Sequence, residues 1–298
     1  MDTEMKTLVP APSRFVAGKI NRNQLRKMLG ELRYEIQYEK KDINSDHIQK
    51  KNQINGICPV DHNHAWLSIY KHKGLVLVRK EGVVTDTVVL DFIPLRLTLV
   101  RTTDILMTSI PVSTFVYKLS LHNKQVTIFA NIGSHKACDL SIHQTGEVYI
   151  STKTPDIVIL NQSGAIVRKV TCTRNGIYIA CTSAGIAVSS GIDYMDYIAS
   201  NISIIDTSGT TLQTWSGELD NNQTASDMHL CKMSCDRYDR LFVPDLNNKV
   251  YVLPRTCTRA TCLLDRKHGV VKPTALEVDT CGDVWIGCHG GTVHVIKL

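Results

Sequence analysis

The hydrophobic positions of this chain alternate with polar ones in short runs separated by tight corners. In the stretch TALEVDTCGDVWIGCHGGTVHVIKL, Leu276 and Val278 alternate, Thr280-Cys281-Gly282 turns the chain, and Val284 and Ile286 alternate. After His289-Gly290-Gly291 a third run carries Val293 and Val295. The pattern predicts a three-strand antiparallel meander. It recurs upstream as MSCDRYDRLFVPDLNNKVYVL and as LSIHQTGEVYISTKTPDIVIL, and a meander repeating at roughly forty residues predicts a β-propeller.

Aligning the corners places Asn63, Thr103, Gly146, Gly185, Asp239 and Gly282 at equivalent positions, with intervals of 40, 43, 39, 54 and 43 residues. Five of these six are Gly, Asn or Asp, which tolerate positive φ. Three residues beyond each corner lies an expected core position: Trp66, Leu106, Tyr149, Val188, Phe242 and Trp285. Six blades are therefore expected. Second corners at Gly82, Asn123, Gly164 and Gly209 lead into a further strand in each of the first four blades, with blade one's outer strand at about 87–92 and blade two's inner strand at 97–100.

The reading divides the chain into a linker or tail at 1–28 and an all-β, six-bladed propeller at 29–298. Blade six supplies three strands before Leu298, and an unpaired strand edge is a liability. Leu32, Tyr34, Ile36 and Tyr38 alternate with charged and polar residues, so the strand 32–38 is expected to close the ring as the missing outer strand. A helix through Leu25, Met28, Leu29 and Leu32 competes for part of this segment, although Gly30 interrupts it.

Charge changes this picture little. The formal net charge is +6, but residues 1–53 hold 11 Lys or Arg against 7 Asp or Glu, leaving the ring nearly neutral at 23 against 21. That balance gives no argument of its own for nucleic acid. No run reaches the roughly 20 apolar residues of a membrane span, and the first residues lack the apolar core of a secretory signal, so a cytoplasmic setting is expected. The ten cysteines contain no C-x-x-C pair and read as small buried hydrophobes in a reducing compartment.

Candidate chemistry is sparse. No G-x-S-x-G, P-loop or dinucleotide fingerprint occurs, so no catalytic, cofactor or metal site is expected. Two long insertions, 191–200 and 216–227, depart from the repeat on links that emerge on one face. They offer Tyr194, Met195, Tyr197, Glu218 and Asp220 as partner-binding residues, since loops on a rigid scaffold carry function; the competing reading is that they pack over a blade edge. Lys19, Arg22, Arg26 and Lys27 form a basic cluster that would contact RNA if RNA were the ligand. His135, His229 and His268 precede the inner strands of blades three, five and six, where the ligands of a channel metal in a lyase or hydrolase would converge.

The phrases IHQTGEVYIS, DRYDRLFVPDLNNKVYVLPR and PTALEVDTCGDVWIGC resemble NHL repeats, with their apolar-Asp-x-x-Gly corner, as found at the C-terminus of tripartite-motif (TRIM) proteins. The resemblance extends to divergent TRIM-like propellers of invertebrates, where a basic linker and a phrase like LGELRYEI precede the ring, and it covers about residues 29–298. The corner is complete only at Asp279 and Gly282; His143 replaces the Asp in blade three and Asp239 the Gly in blade five. The resemblance implies a six-bladed propeller that binds proteins or RNA. Because no Cys precedes residue 55, the RING zinc site of full-length relatives is not expected. The reading is a non-catalytic partner-recognition module for a protein, with RNA binding as the alternative and a metal-dependent lyase or hydrolase as the second alternative.

Overall fold

The computed structural model describes residues 53–172, 176–190 and 200–298. The basic cluster Lys19, Arg22, Arg26 and Lys27, the segment 32–38 and the loop residues Tyr194, Met195 and Tyr197 lie outside the described residues. Within them the chain forms six small antiparallel sheets arranged as the blades of a propeller. Blade one comprises β1 (Ile54–Pro59), β2 (His64–Ile69), β3 (Gly74–Arg79) and β4 (Val84–Val89); blade two comprises β5 (Ile93–Val100), β6 (Asp104–Ile110), β7 (Phe115–Ser120) and β8 (Val126–Asn131). Blade three is β9 (Ala137–Ile142), β10 (Val148–Thr152), β11 (Asp156–Leu160) and β12 (Ile166–Thr171). Blade four is β13 (Gly176–Thr182), β14 (Gly185–Ser190), β15 (Asn201–Ile205) and β16 (Thr211–Trp215). Blade five is β17 (Ser234–Cys235), β18 (Leu241–Asp245), β19 (Lys249–Leu253) and β20 (Thr261–Leu264); blade six holds β21 (Pro273–Val278), β22 (Val284–Cys288) and β23 (Val293–Ile296) among the described residues.

The core lies between blades. Six buried clusters occupy the six junctions, and the last of them packs Ile54, Ile57 and Leu67 of blade one against Ala275 and Trp285 of blade six, closing the circle. Because successive side chains of a strand point to opposite faces, each blade supplies both of its neighbours, and the second strands are apolar on both faces. Trp66, Leu106, Tyr149, Phe242 and Trp285 each fill the junction toward the following blade. Each such side chain contributes about 1.5–3 kcal/mol of burial.

Blade four departs from the expected alignment. Its equivalent core position is Ala187, which packs toward blade five, whereas Val188 packs back toward blade three. The cause is the corner: Thr182 pairs with Gly185, while in blade six the corner runs from Asp279 to Asp283, one residue longer. A one-residue slip sends every side chain to the other face. Blade one's outer strand also lies earlier than expected, at Val84–Val89 rather than 87–92. Gly82, at φ 81°, turns the chain directly into it, and Leu90 and Phe92 instead pack in the junction between blades one and two.

The corners themselves are held by side chains of their first residues. Asp279, Asp236 and Asp206 each accept the backbone N–H groups two and four residues on, at 2.8–2.9 Å. In blade three His143 stands in for the aspartate: its Nδ1 accepts from Thr145 N at 3.3 Å. In blade five Asp239 adopts φ 61° where the complete motif has Gly282 at φ 92°. Blade five's inner strand is short because Pro244, in the adjacent β18, accepts from Cys231 N at 2.9 Å but has no N–H to return the bond.

Candidate functional site

The inner strands do not run straight to the axis. In β1, β5, β9, β13 and β21 the pairing with the second strand shifts near the start, leaving Asn55, Leu95 with Arg96, Cys138, Ile177 and Thr274 outside the ladder. Such β-bulges re-aim side chains and gather next to functional sites. Here every one of these bulge residues lines a single funnel of about 830 Å³ around the axis, and Cys231 completes it from blade five.

A belt of hydroxyls on the second strands holds the bulges in place. Thr108 accepts from Arg96 N at 3.2 Å in its own blade and donates to Cys138 O of the next at 3.2 Å. Ser151 accepts from Asp139 N at 3.0 Å and donates to Ile177 O at 2.9 Å, while Ser68 donates to Leu95 O at 3.0 Å. At the closing junction the equivalent residue is Gly287. A Cβ there would lie 2.5 Å from Ile54 Cγ2, so Thr274 takes over and donates to Ile54 O at 2.7 Å.

The funnel is cationic. Arg96, Lys153, Lys272, His229 and His289 line it, and no acidic residue does so among the described residues. Arg96 is only 6% exposed; its Nη1 donates to Asn55 O and to Thr274 O, and its guanidinium lies 4.9 Å from the centre of the Tyr178 ring. The wall between the charges is apolar, from Leu95, Ile110, Pro111, Val112 and Leu246. Burial pushes the Cys138 and Cys231 thiols up to about 12, so both face the funnel as neutral, unreactive thiols.

Below the funnel the axis is blocked. Lys232 of blade five, 3% exposed, reaches across to blades two and three, where its Nζ donates to Leu97 O at 3.4 Å, Leu140 O at 3.2 Å and the Asp139 carboxylate at 3.3 Å. Glu277 of blade six approaches the same ammonium at 3.8 Å and accepts from Ser234 Oγ at 2.8 Å. The funnel is therefore blind, with a cationic floor resting on a buried ion-paired plug.

The residues expected from the insertions and the histidines are placed differently. Glu218 and Asp220 lie at the periphery: Glu218 accepts from Ser216 N at 2.9 Å, and Asp220 accepts from Thr261 Oγ1 at 3.0 Å. Their segment runs along the edge of blade five through a parallel bridge of Leu219 with Ala260. The three histidines do not converge. His135 sits beside Lys169 Nζ at 2.9 Å and Thr154 Oγ1 at 3.4 Å, His268 caps the short 3-10 turn at Arg266–His268, and only His229 lines the funnel. Among the described residues no group of three His, Cys, Asp or Glu side chains could hold a metal ion.

Asn55, Arg96, Lys153, Lys272 and His289 were not anticipated. A signal existed for some of the interior: Arg96 in IPLRLTLV, Asp139 in ACDLSI and Lys232 in LCKMSC are charges inside runs that otherwise read as buried strand.

No family model and no curated protein matches this chain. Solved structures share the fold. A streptogramin B lyase superposes with a TM-score of 0.60 at 10% identity, over 85% of this chain and 96% of that one. The WD40 β-propeller domain of Doa1 gives 0.59 at 9% identity, over 83% and 94%. The calcium-binding protein regucalcin from Agrobacterium tumefaciens gives 0.57 at 12% identity, over 84% and 93%. At such identities the likeness is one of architecture.

Proposed function

We propose that this ring is a recognition module that binds a protein partner without catalysing a reaction on it, with the funnel and its rim as the contact surface. The observation that carries the reading is the funnel's wall, contributed by all six blades, apolar over much of its area and bearing Arg96, Lys153 and Lys272 with no acidic lining residue. Apolar walls with a few convergent polar groups are the usual composition of a binding site; Arg96 is set by strand β5, while Lys153 directly follows β10 and Lys272 directly precedes β21. The repeats' resemblance to the NHL rings of TRIM-like proteins, where such a ring selects partners, supports the same reading and makes this chain a divergent member of that group. A cytoplasmic setting belongs to the proposal, supported by ten cysteines that are all free. Among the described residues no helix is long and apolar enough to cross a membrane.

The lyase reading rests on channel histidines, and these stand apart. The RNA reading has a basic funnel in its favour, but the apolar wall offers phosphates no partners. Proximity labelling with the full chain, compared with a Lys153→Glu, Lys272→Glu variant, tests the proposal. A set of proteins labelled by the native chain and lost with the variant is the expected result. Tight binding of a single-stranded RNA by the native chain, falling steeply between roughly 50 and 200 mM salt, overturns it, as does a stoichiometric metal ion in the purified protein.

A further inference from the structure

Resting on the protein-binding reading, we infer that the funnel floor is a subsite for the terminal carboxylate of a polypeptide, held by the Asn55 amide and the Arg96 guanidinium. Asn55 is 2% exposed and lines the funnel, yet its Nδ2 has no hydrogen-bond partner. A buried amide donor without an acceptor is a standing cost that an incoming oxygen removes. Arg96 stands beside it, bonded to the Asn55 and Thr274 carbonyls and faced by the Tyr178 ring. Among the described residues no carboxylate pairs with this guanidinium, and a buried cation calls for a counter-anion.

The shape selects the kind of anion. Lys232 crosses the axis beneath the floor, so a chain cannot thread through and only an end can enter. The volume of about 830 Å³ falls within the range of sites that enclose a small ligand or a chain end. Leu95, Ile110, Pro111, Val112 and Leu246 line the way down and suit apolar side chains preceding the terminus. A polynucleotide end finds cations only at Lys153 and Lys272 at the mouth and at Arg96 on the floor, and phosphates between those levels would lie against the apolar wall and lose hydration without a partner. Capture of a terminal carboxylate by converging donors is an established mode of peptide recognition. Lys153 and Lys272 then act at the mouth, drawing in a negatively charged end.

The test uses the full chain and two pools of N-terminally fluorescein-labelled random heptapeptides, one with free C-terminal carboxylates and one C-terminally amidated. The free-acid pool should yield binders, and amidating the best of them should weaken binding by about tenfold to a hundredfold, the range of charge-assisted hydrogen bonds. Asn55→Asp keeps the side chain's shape, replaces the amide donor with an acceptor and puts a charge like the ligand's beside Arg96, where it occupies the guanidinium in place of the ligand. It should abolish binding, and a melt that stays cooperative, whatever its midpoint, shows that the ring is intact. Lys272→Glu, at the mouth, should weaken binding with no effect on melting. Equal binding of amidated and free peptides overturns the inference, as does full competition by acetate or inorganic phosphate at the peptide's own concentration. A crosslinker at position 272 separates the two levels. Protein partners trapped there whose binding ignores their C-terminal carboxylate would leave the recognition module standing and remove the terminal subsite, whereas absence of both peptide binding and crosslinks removes both.

Discussion

Trp285 donates its indole N–H to the carboxylate of Asp279 at 3.1 Å. Asp279 opens the corner of blade six and also accepts the backbone N–H groups of Cys281 and Asp283 at 2.9 Å each. One carboxylate thus ties the corner to the largest side chain of the closing junction. Lys80 arrives from blade one, pairs with Asp283, stands 3.8 Å from Asp279 and lies 5.7 Å from the centre of the Trp285 ring. The seam between the first and last blades is therefore both packed and ion-paired.

Replacing Trp285 with Phe should cost about 1–3 kcal/mol, from lost volume in the junction and a carboxylate oxygen left without its donor. The measure is the urea midpoint of the purified chain. A change below about 0.5 kcal/mol, the level of ordinary surface substitutions, would show that the seam closes without this bond.

Gly287→Ala puts a methyl group 2.5 Å from Ile54 Cγ2. Overpacking of this kind typically costs about 1–3 kcal/mol. Ile54→Ala is also destabilising on its own because Ile54 is 1% exposed, yet it removes Cγ2, the nearest atom, and leaves only its Cβ at 2.7 Å and Ile57 Cδ1 at 3.1 Å from the new methyl, so part of the overlap is relieved. The double variant should therefore be more stable than the sum of the single effects predicts, a coupling of roughly 0.5 kcal/mol or more in a double-mutant cycle. Strict additivity would mean the two residues do not meet.

The ring was legible in the sequence because its physics is periodic. Trp66, Tyr149 and Trp285 follow corners of constant length, and that constancy carries the alternation from one blade to the next. Val188 shows the limit: a corner one residue shorter turns the same pattern over, and nothing in the local composition of TSAGIAV marks the lost residue. The funnel was less legible. A β-bulge is one extra residue in one strand, and Asn55, Cys138 and Ile177 look like ordinary members of their runs. Only the isolated charges Arg96, Asp139 and Lys232 stood against the apolar pattern, and their meaning depended on three blades distant in sequence meeting at the axis.

Lys232→Met should destabilise the chain strongly, by about 3–5 kcal/mol, because it leaves the Asp139 carboxylate buried at 0% exposure without its cation. Adding Asp139→Asn removes the stranded charge and should recover much of the loss. Thermal melts of the two variants decide the matter. No recovery in the double variant would mean that the carbonyl bonds of Lys232, rather than its charge pair, hold the plug.

Burial holds the Glu277 carboxyl above its ordinary value of 4.5, with Lys232 and Ser234 opposing. The folded protein therefore binds this proton more tightly than the unfolded chain does. By linkage, the group's contribution to stability falls as pH rises from about 4.5 to the raised folded value, and is constant beyond it. Glu277→Gln lacks that dependence. Relative to the native chain, its denaturation midpoint should shift upward across this window and then run parallel. A constant difference from pH 4 upward would place the carboxylate in water.

The hydroxyl belt gives the last prediction. Ser151 is 0% exposed, accepts from Asp139 N and donates to Ile177 O, so it serves a bulge in its own blade and one in the next. Ser151→Ala removes little volume but strands one buried donor and one buried acceptor, at about 1–3 kcal/mol for each unsatisfied group. The loss should exceed that of Ser203→Ala, whose hydroxyl meets Thr214 Oγ1 at 3.1 Å on the exposed side of blade four. The two bulges flank the floor of the funnel, and the Ile179 amide donates to the Asp139 carboxylate at 3.0 Å, so hydrogen exchange of the Asp139 and Ile179 amides, followed by mass spectrometry, should quicken in Ser151→Ala and remain unchanged in Ser203→Ala. Equal exchange in both variants would mean that the bulges are held by strand pairing alone.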